Sequence, residues 1–370
     1  MTRAALAAVV LAGALLATAA RAPQSPVDEA RLLSDEPAPT LGDYRLFSDA
    51  AARHPNGERV IPYDLNTPLF SDYALKDRYL FLPPRTKVRY RDTGALDFPV
   101  GATLVKTFAF PADFRKPGEK VRFVETRLLI HRKAGWVPLV YVWSDNQNRA
   151  VLQRAGTRVA VAFTDAAGEP RRIDYQVPNT NQCKQCHELA GATSPIGPKA
   201  RNLNRAQTYP LGRDNQLDRW SRLGLLTGAP ESSAAPRLPR WDDPTEAIEG
   251  RARAYLDVNC GHCHNPQGMA SNSGLTLTFE ETNRSALGVG KRPVAAGRGS
   301  GGLEVSIDAG HPDRSIIAFR MASTEPGVLM PQIGRTVVHA EGLALVRAYI
   351  AQMRSGDTRG PPRTGPGHSD

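Results

Sequence analysis

The four cysteines of this chain constrain it most, because they fall in two pairs of the same form and none is left over. Cys183-Lys184-Gln185-Cys186-His187 and Cys260-Gly261-His262-Cys263-His264 both read CxxCH. Two thiols separated by two residues lie about one backbone turn apart, and the imidazole that follows leaves from the same turn. That spacing suits two thioether bonds to one haem, with the next side chain aimed at its iron. The motifs therefore predict two covalently bound haem c groups. Cys183 and Cys186 would hold haem 1, with His187 on its iron, and Cys260 and Cys263 would hold haem 2, with His264 on its iron. Other uses of paired cysteines explain less. Two disulfides leave the histidine after each pair without a reason. A zinc site would have to unite pairs that stand 73 residues apart. His262 sits between the cysteines of its motif, is expected to point away from that iron, and is assigned no role.

The first residues predict export. Met1-Thr2-Arg3 precedes an apolar run over 4–16 and the small residues Ala17-Thr18-Ala19-Ala20, the order of a secretory signal peptide. The run is shorter than the roughly 20 apolar residues that span a bilayer. Cleavage near Ala19 or Ala20 would leave a periplasmic protein with no membrane span. The net charge of +10 falls to about +6 once four haem propionates are counted. Such a surface suits acidic redox partner proteins. The arginines are scattered, with no basic helix or aromatic-interleaved stripe, so nucleic acid is excluded as a partner.

A length of 370 residues predicts two domains. The reading is multidomain: a signal peptide over 1–20, an extended segment over 21–40, a mostly-β haem-binding domain over 41–228, a linker over 229–244, an all-α domain over 245–355 and a disordered tail over 356–370. Short apolar runs between turn residues predict strands over 98–110, 122–131, 136–143 and 157–164. A helix is expected over 214–226. The stretch 229–244 reads as a linker by its Pro, Ser and Ala content. In the last domain, Ile248, Ala252, Tyr255 and Leu256 mark a helix running into the second CxxCH. Leu343, Val346 and Ile350 mark a closing helix over 340–353. The glycine-rich stretch around Gly288-Val289-Gly290-Lys291 lacks the rest of any nucleotide-binding pattern.

The order helix, CxxCH, loops, Met330-Pro331, helix over 245–355 resembles class I cytochrome c. That resemblance implies that Met330 is the second axial ligand of haem 2, while Met321 and Met353 read as core fillers and Met269 stands too close to the attachment point. No Met occurs between Ala20 and Pro230, so a His/Met haem built within the first domain is excluded. Its sixth position falls to His54, His131, a Lys or a group from the other domain, or stays open.

One face of the strand ending at Phe110 collects Ala102, Leu104, Lys106, Phe108 and Phe110. An ammonium on an apolar face is costly without a partner or a task; the plain alternative is a bulge that turns Lys106 to solvent. The run Phe98-Pro99-Val100-Gly101-Ala102-Thr103-Leu104-Val105-Lys106, then Gly135-Trp136, then the first CxxCH, is similar to the β-sheet cytochromes that include the lysine-cross-linked, hydroxylamine-oxidising haem proteins and the sheet-type cytochromes c-prime. The resemblance implies that Lys106 approaches haem 1. As a whole the chain resembles a family of bacterial dihaem c-type cytochromes, through Pro68-Leu69-Phe70-Ser71-Asp72-Tyr73-Ala74-Leu75-Lys76, Glu125-Thr126-Arg127-Leu128-Leu129, Gly197-Pro198-Lys199, Leu203-Asn204-Arg205, Asn215-Gln216-Leu217 and both CxxCH motifs. It implies periplasmic electron transfer. The alternative is a haem enzyme or gas-binding protein in which an open haem 1 oxidises or binds a small molecule and haem 2 relays electrons. A dihaem peroxidase is disfavoured by the β-rich first half. No residue is firmly catalytic; Lys106 is the one candidate.

Overall fold

A computed structural model describes residues 27–49, 51–209 and 212–354. The expected signal peptide and the tail over 356–370 lie outside the described residues. The early region is rich in strands: β1 (Val60–Pro62), β2 (Leu75–Phe81), β3 (Val88–Arg89), β4 (Thr103–Phe110), β5 (Arg122–Arg132), β6 (Gly135–Trp143), β7 (Ala150–Leu152), β8 (Thr157–Thr164) and β9 (Pro170–Val177). Six of them form one sheet in the order β1-β2-β4-β5-β6-β7, with antiparallel pairing throughout. β8 and β9 form a separate hairpin, and β3 pairs in parallel with Leu226–Thr227.

Alternation along β4 assigns the two faces of the sheet. Val105 and Ala109 join Tyr79, Leu128, Ile130 and Tyr141 in one core, which Leu32 of α1 (Glu29–Leu33) and Tyr44 close. The threonines on that side bond to each other, Thr107 Oγ1 to Thr126 Oγ1 at 2.8 Å, and Trp143 Nε1 donates to Thr126 Oγ1. The opposite face is apolar at both ends. Leu80, Leu104 and Leu129 pack against Leu203, Leu217 and Trp220. Phe108, Phe110 and Val140 pack against Val161, Ile173 and Tyr175 of the hairpin, and against Cys183. Lys106 lies on this same face, between the two ends.

Several expected elements are shorter than read from the sequence. β4 begins at Thr103, not 98, because Gly101 takes a φ of +90° and Ala102 N bonds back to Pro99 O, which makes a turn there. The helix expected over 214–226 is trimmed to α4 (Gln216–Arg222), capped by the Asn215 side chain. Residues 212–215 pair instead with 206–209, and Leu226–Thr227 is drawn to β3. The stretch expected to be extended before residue 40 contains α1, started by Asp28, whose carboxylate accepts from Arg31 N. The stretch 229–244 is a packed strap. Leu238 is fully buried beside Ala254 and Val258, and Leu238 N donates to Arg201 O at 2.7 Å.

Helices gather towards the C-terminus. α2 (Thr180–His187), α3 (Ala200–Leu203) and α4 are followed by α5 (Ile248–Leu256), α6 (Ile316–Ala322) and α7 (Ala340–Gln352). α5 continues through a wider, π-type turn over Asp257–Gly261 that delivers Cys260. Ala252, Tyr255 and Leu256 of α5 pack on Leu345, Val346 and Ile350 of α7, with Met321 and Met353 in the same core. The chain is thus a multidomain fold, sheet-rich early and helical late. No helix among the described residues is long and apolar enough to cross a membrane.

The two regions are joined by buried polar groups. The Asp72 carboxylate accepts from Thr336 N at 2.6 Å, Val337 N at 3.0 Å and Thr336 Oγ1 at 2.9 Å. Asp257 receives both Arg201 Nη2 at 3.0 Å and Lys199 Nζ at 3.3 Å, and Phe70 N donates to Asn259 Oδ1 at 2.8 Å. The segments 68–76 and 197–205 therefore serve as docking surfaces for the helical region.

Candidate cofactor-binding cavities

An Asn179–Gln182 capping box starts α2: the Asn179 side chain accepts Gln182 N, and the Gln182 side chain accepts Asn179 N. One turn later come Cys183 and Cys186, with His187 as the last helical residue. His187 Nδ1 lies 2.8 Å from the Ser194 carbonyl. A carbonyl only accepts, so Nδ1 carries the proton and Nε2 keeps its lone pair. Nε2 has no hydrogen-bond partner among the described residues, and His187 lines a cavity.

That cavity encloses about 1560 Å³ of space not filled by atoms, solvent at its mouth included. Leu104, Leu129 and Pro138 of the sheet, Ile196 and Pro198 of the following loop and Tyr255 of the helical region line it. Both halves of the chain build it. Met321, Met330 and His339 of the helical region also line the cavity.

The second motif is arranged alike. His264 Nδ1 lies 2.9 Å from Ser273 Oγ, and that hydroxyl donates to Ala270 O at 2.6 Å. Its one proton is thereby used, so it accepts from Nδ1–H and Nε2 is again left with its lone pair. His264 lines a second cavity with Leu275, Leu277, Val294, Ile316 and Met330, enclosing about 740 Å³ on the same measure. Cys260 and Cys263 are not among the residues that line it. Met330 thus stands at the wall between the two cavities.

The electrostatics keep these groups neutral. Burial lowers His187 to about 3 and His264 to about 4. Burial also pushes the thiols of Cys260 and Cys263 up to about 12, and raises Cys183 and Cys186. All four cysteines are free thiols, so neither pair is a disulfide. Among the described residues no group of three or more His, Cys, Asp or Glu is gathered as a metal-ion site. The residues at each motif are of the kind haem c attachment needs: two thiols about one turn apart, a neutral imidazole oriented by a fixed acceptor, and a largely apolar cavity beside the histidine.

Lys106 extends into the first cavity and is only partly accessible, through it. Its amine is lowered to about 7, first by burial and then by the charges of Arg127 and Arg78. Its charge is felt at Cys183, Cys186 and His187. No bulge turns it to solvent: the irregularity in the β4–β5 pairing falls later, between Phe108 and Ala109. His54 and His131 are not in either cavity. His54 Nδ1 bonds Asp49 at the surface, and His131 stacks on Trp136 with Nδ1 on Phe98 O. Met353 is a core residue, Met321 belongs to the same core while also lining the first cavity, and Met269 is exposed.

Three site residues escape sequence reasoning. His262 turns into the first cavity, with Nδ1 buried and without a partner. His339 stacks on Phe70, with ring centroids 4.1 Å apart, and takes a hydrogen bond with Tyr255 OH at 2.9 Å. Arg335 is buried and donates to the carbonyls of Met330, Met321, Ser323, Arg320 and Val337, which fixes the loop that carries Met330. No local pattern marks any of them, because their partners lie far away along the chain. The segments that follow the two motifs meet: Leu189 bridges Gly268, and Ala190 N donates to Gln267 O at 2.9 Å. No family model matches the chain, and no curated protein or solved structure matches it.

Proposed function

We propose that this chain is an exported, periplasmic dihaem c-type cytochrome that passes electrons between partner proteins, a member of the bacterial dihaem family that its motifs resemble. The observation that carries the reading is the state of two histidines. Each directly follows a CxxC pair, each donates Nδ1–H to a fixed acceptor, and each faces a cavity with Nε2 free. Haem supplies reversible one-electron chemistry when bound. The chain's own residues supply the rest: Cys183 and Cys186, or Cys260 and Cys263, as attachment points; Ser194 O and Ser273 Oγ to orient His187 and His264; Arg335 to hold the loop of Met330, the proposed second ligand of haem 2. In this reading the early region is a mostly-β haem-binding domain and the late one an all-α, class I cytochrome c-like domain. The bridge between Leu189 and Gly268 keeps the two attachment segments adjacent, which suits a relay.

A second reading is favoured by one observation: the first cavity holds an amine, Lys106, with no hydrogen-bond or ion-pair partner among the described residues. That environment suits binding or oxidation of a small molecule on the haem 1 side. The experiment that tests both begins with protein made in a host competent in haem c maturation. It should carry two haems, resist acid-acetone extraction and gain two haem masses. One haem, or none, overturns the reading. A reduced-minus-oxidised spectrum unchanged by carbon monoxide supports the relay, and a carbon monoxide adduct supports the second reading.

A further inference from the structure

Four basic side chains share one patch of the first cavity's wall. In the register of β2, β4 and β5, Arg78 stands opposite Lys106 and Lys106 opposite Arg127, while Lys76 stands opposite Phe108. Directly opposed residues point to the same face, and all four line the cavity with Cys183, Cys186 and His187. They converge. Lys76 Nζ, Lys106 Nζ and Arg127 Cζ lie 5.8, 5.0 and 4.3 Å from the centroid of the one buried Phe108 ring.

Like charges opposite each other on neighbouring strands are destabilising, and the aromatic ring compensates only in part. The carboxylate beside them is already engaged. Glu125 takes Arg127 through both oxygens and accepts Tyr175 OH at 2.6 Å. Arg78 pairs with Asp64 at 2.9 Å. Lys76 Nζ donates to the Ala74 carbonyl, and Lys106 has no partner among the described residues. Two amines therefore face the cavity without a counter-charge, and burial with the neighbouring charges holds both below the usual lysine range. The row also extends outward: Lys76, Arg78 and Tyr63 line a third, more open and more polar cavity with Arg205 and Arg213, alongside Asp64 and Asp77.

We propose that this row is a binding site for a small carboxylate or oxyanion, contacted by Lys106 and Lys76 and reached past Arg78 and Arg205. The inference goes beyond the cytochrome reading, because it stands on the cation row and the cavity. The anion has two sources, the propionates of a haem in the cavity or a free ion from solution, and they are separable.

The experiment uses holoprotein of measured haem content, formate and nitrite as probes in isothermal titration, and the variants Lys106→Gln, Lys106→Arg and Lys76→Gln, each checked for native circular dichroism. For a free ion, a probe binds saturably to the wild type, Lys106→Gln or Lys76→Gln weakens it about tenfold or more, and Lys106→Arg retains most of the affinity. For propionates, no probe binds, but Lys106→Gln shifts the propionate bending band in the resonance Raman spectrum and Lys106→Arg restores it. The proposal is overturned if folded variants change neither. Haem content on the same samples keeps the two claims apart: anion binding without two haems sinks the cytochrome reading alone, and two haems with neither response sinks the anion site alone.

Discussion

Met330 stands where two cavities meet, so its backbone has to be held if its thioether is to serve one of them. Arg335 does this by placing one guanidinium on five carbonyls, with Nη2 2.8 Å and Nε 3.1 Å from Met330 O. A thioether ligand gives ferric haem c a weak far-red charge-transfer band and a raised potential. Met330→Ala should abolish that band, while Met321→Ala and Met353→Ala, which act on the core, should leave it. The band should persist in Cys183→Ala/Cys186→Ala protein, which retains only haem 2. Its loss in that variant would move Met330 to the first haem.

At the scale of elements, the crossing of α5 and α7 depends on a glycine. A Cβ on Gly342 would lie only 2.5 Å from the hydroxyl oxygen of Tyr255 and closer still to its Cζ, so the ring can sit here because position 342 has no side chain. Gly342→Ala raises helix propensity by up to about 1 kcal/mol, but overpacking at such a contact costs about 1–3 kcal/mol. Packing wins, and net destabilisation of about 1–2 kcal/mol is expected in denaturant titration. Combining it with Tyr255→Leu should recover much of that loss, less what the bond from Tyr255 to His339 contributes. Equal loss in the single and double variants would show that the ring is not the obstacle.

For the whole molecule, the joint between the two regions is the sensitive part. His339, just before α7, stacks on Phe70 of the early region, with Trp241 and Tyr255 around it and Glu341 at 3.6 Å. Burial lowers its pKa to about 4, partly offset by Glu341 and reinforced by Lys76. The unfolded chain, near 6.5 at this side chain, takes up the proton first as pH falls. Its stabilising contribution is therefore complete above about 6.5 and is lost between 6.5 and 4, by up to roughly 3 kcal/mol. His339→Phe keeps the stack and removes the titration. The difference in melting temperature between wild type and this variant should change across that window and stay level above it. A constant difference from pH 4 to 8 would refute the assignment.

Much of the candidate site was legible in local sequence, because covalent spacing and strand alternation are local properties. CxxCH spacing needs one helical turn, which the Asn179–Gln182 box sets up on α2. The period of two along β4 is enough to place Lys106 with Leu104 and Phe108. The ends of elements were less legible, because they depend on pairing: Leu226–Thr227 leaves the expected helix for β3, and the proline-rich strap is held by Arg201 O and the core around Leu238. Register and docking remained for the tertiary structure to decide. Only the alignment of β2, β4 and β5 turns Arg78, Lys106 and Arg127 into one row, and only the docking of 68–76 on the helical region brings His262, Met330 and His339 to the first cavity. Those contacts join residues far apart along the chain, and no local periodicity encodes which distant side chains will share a wall.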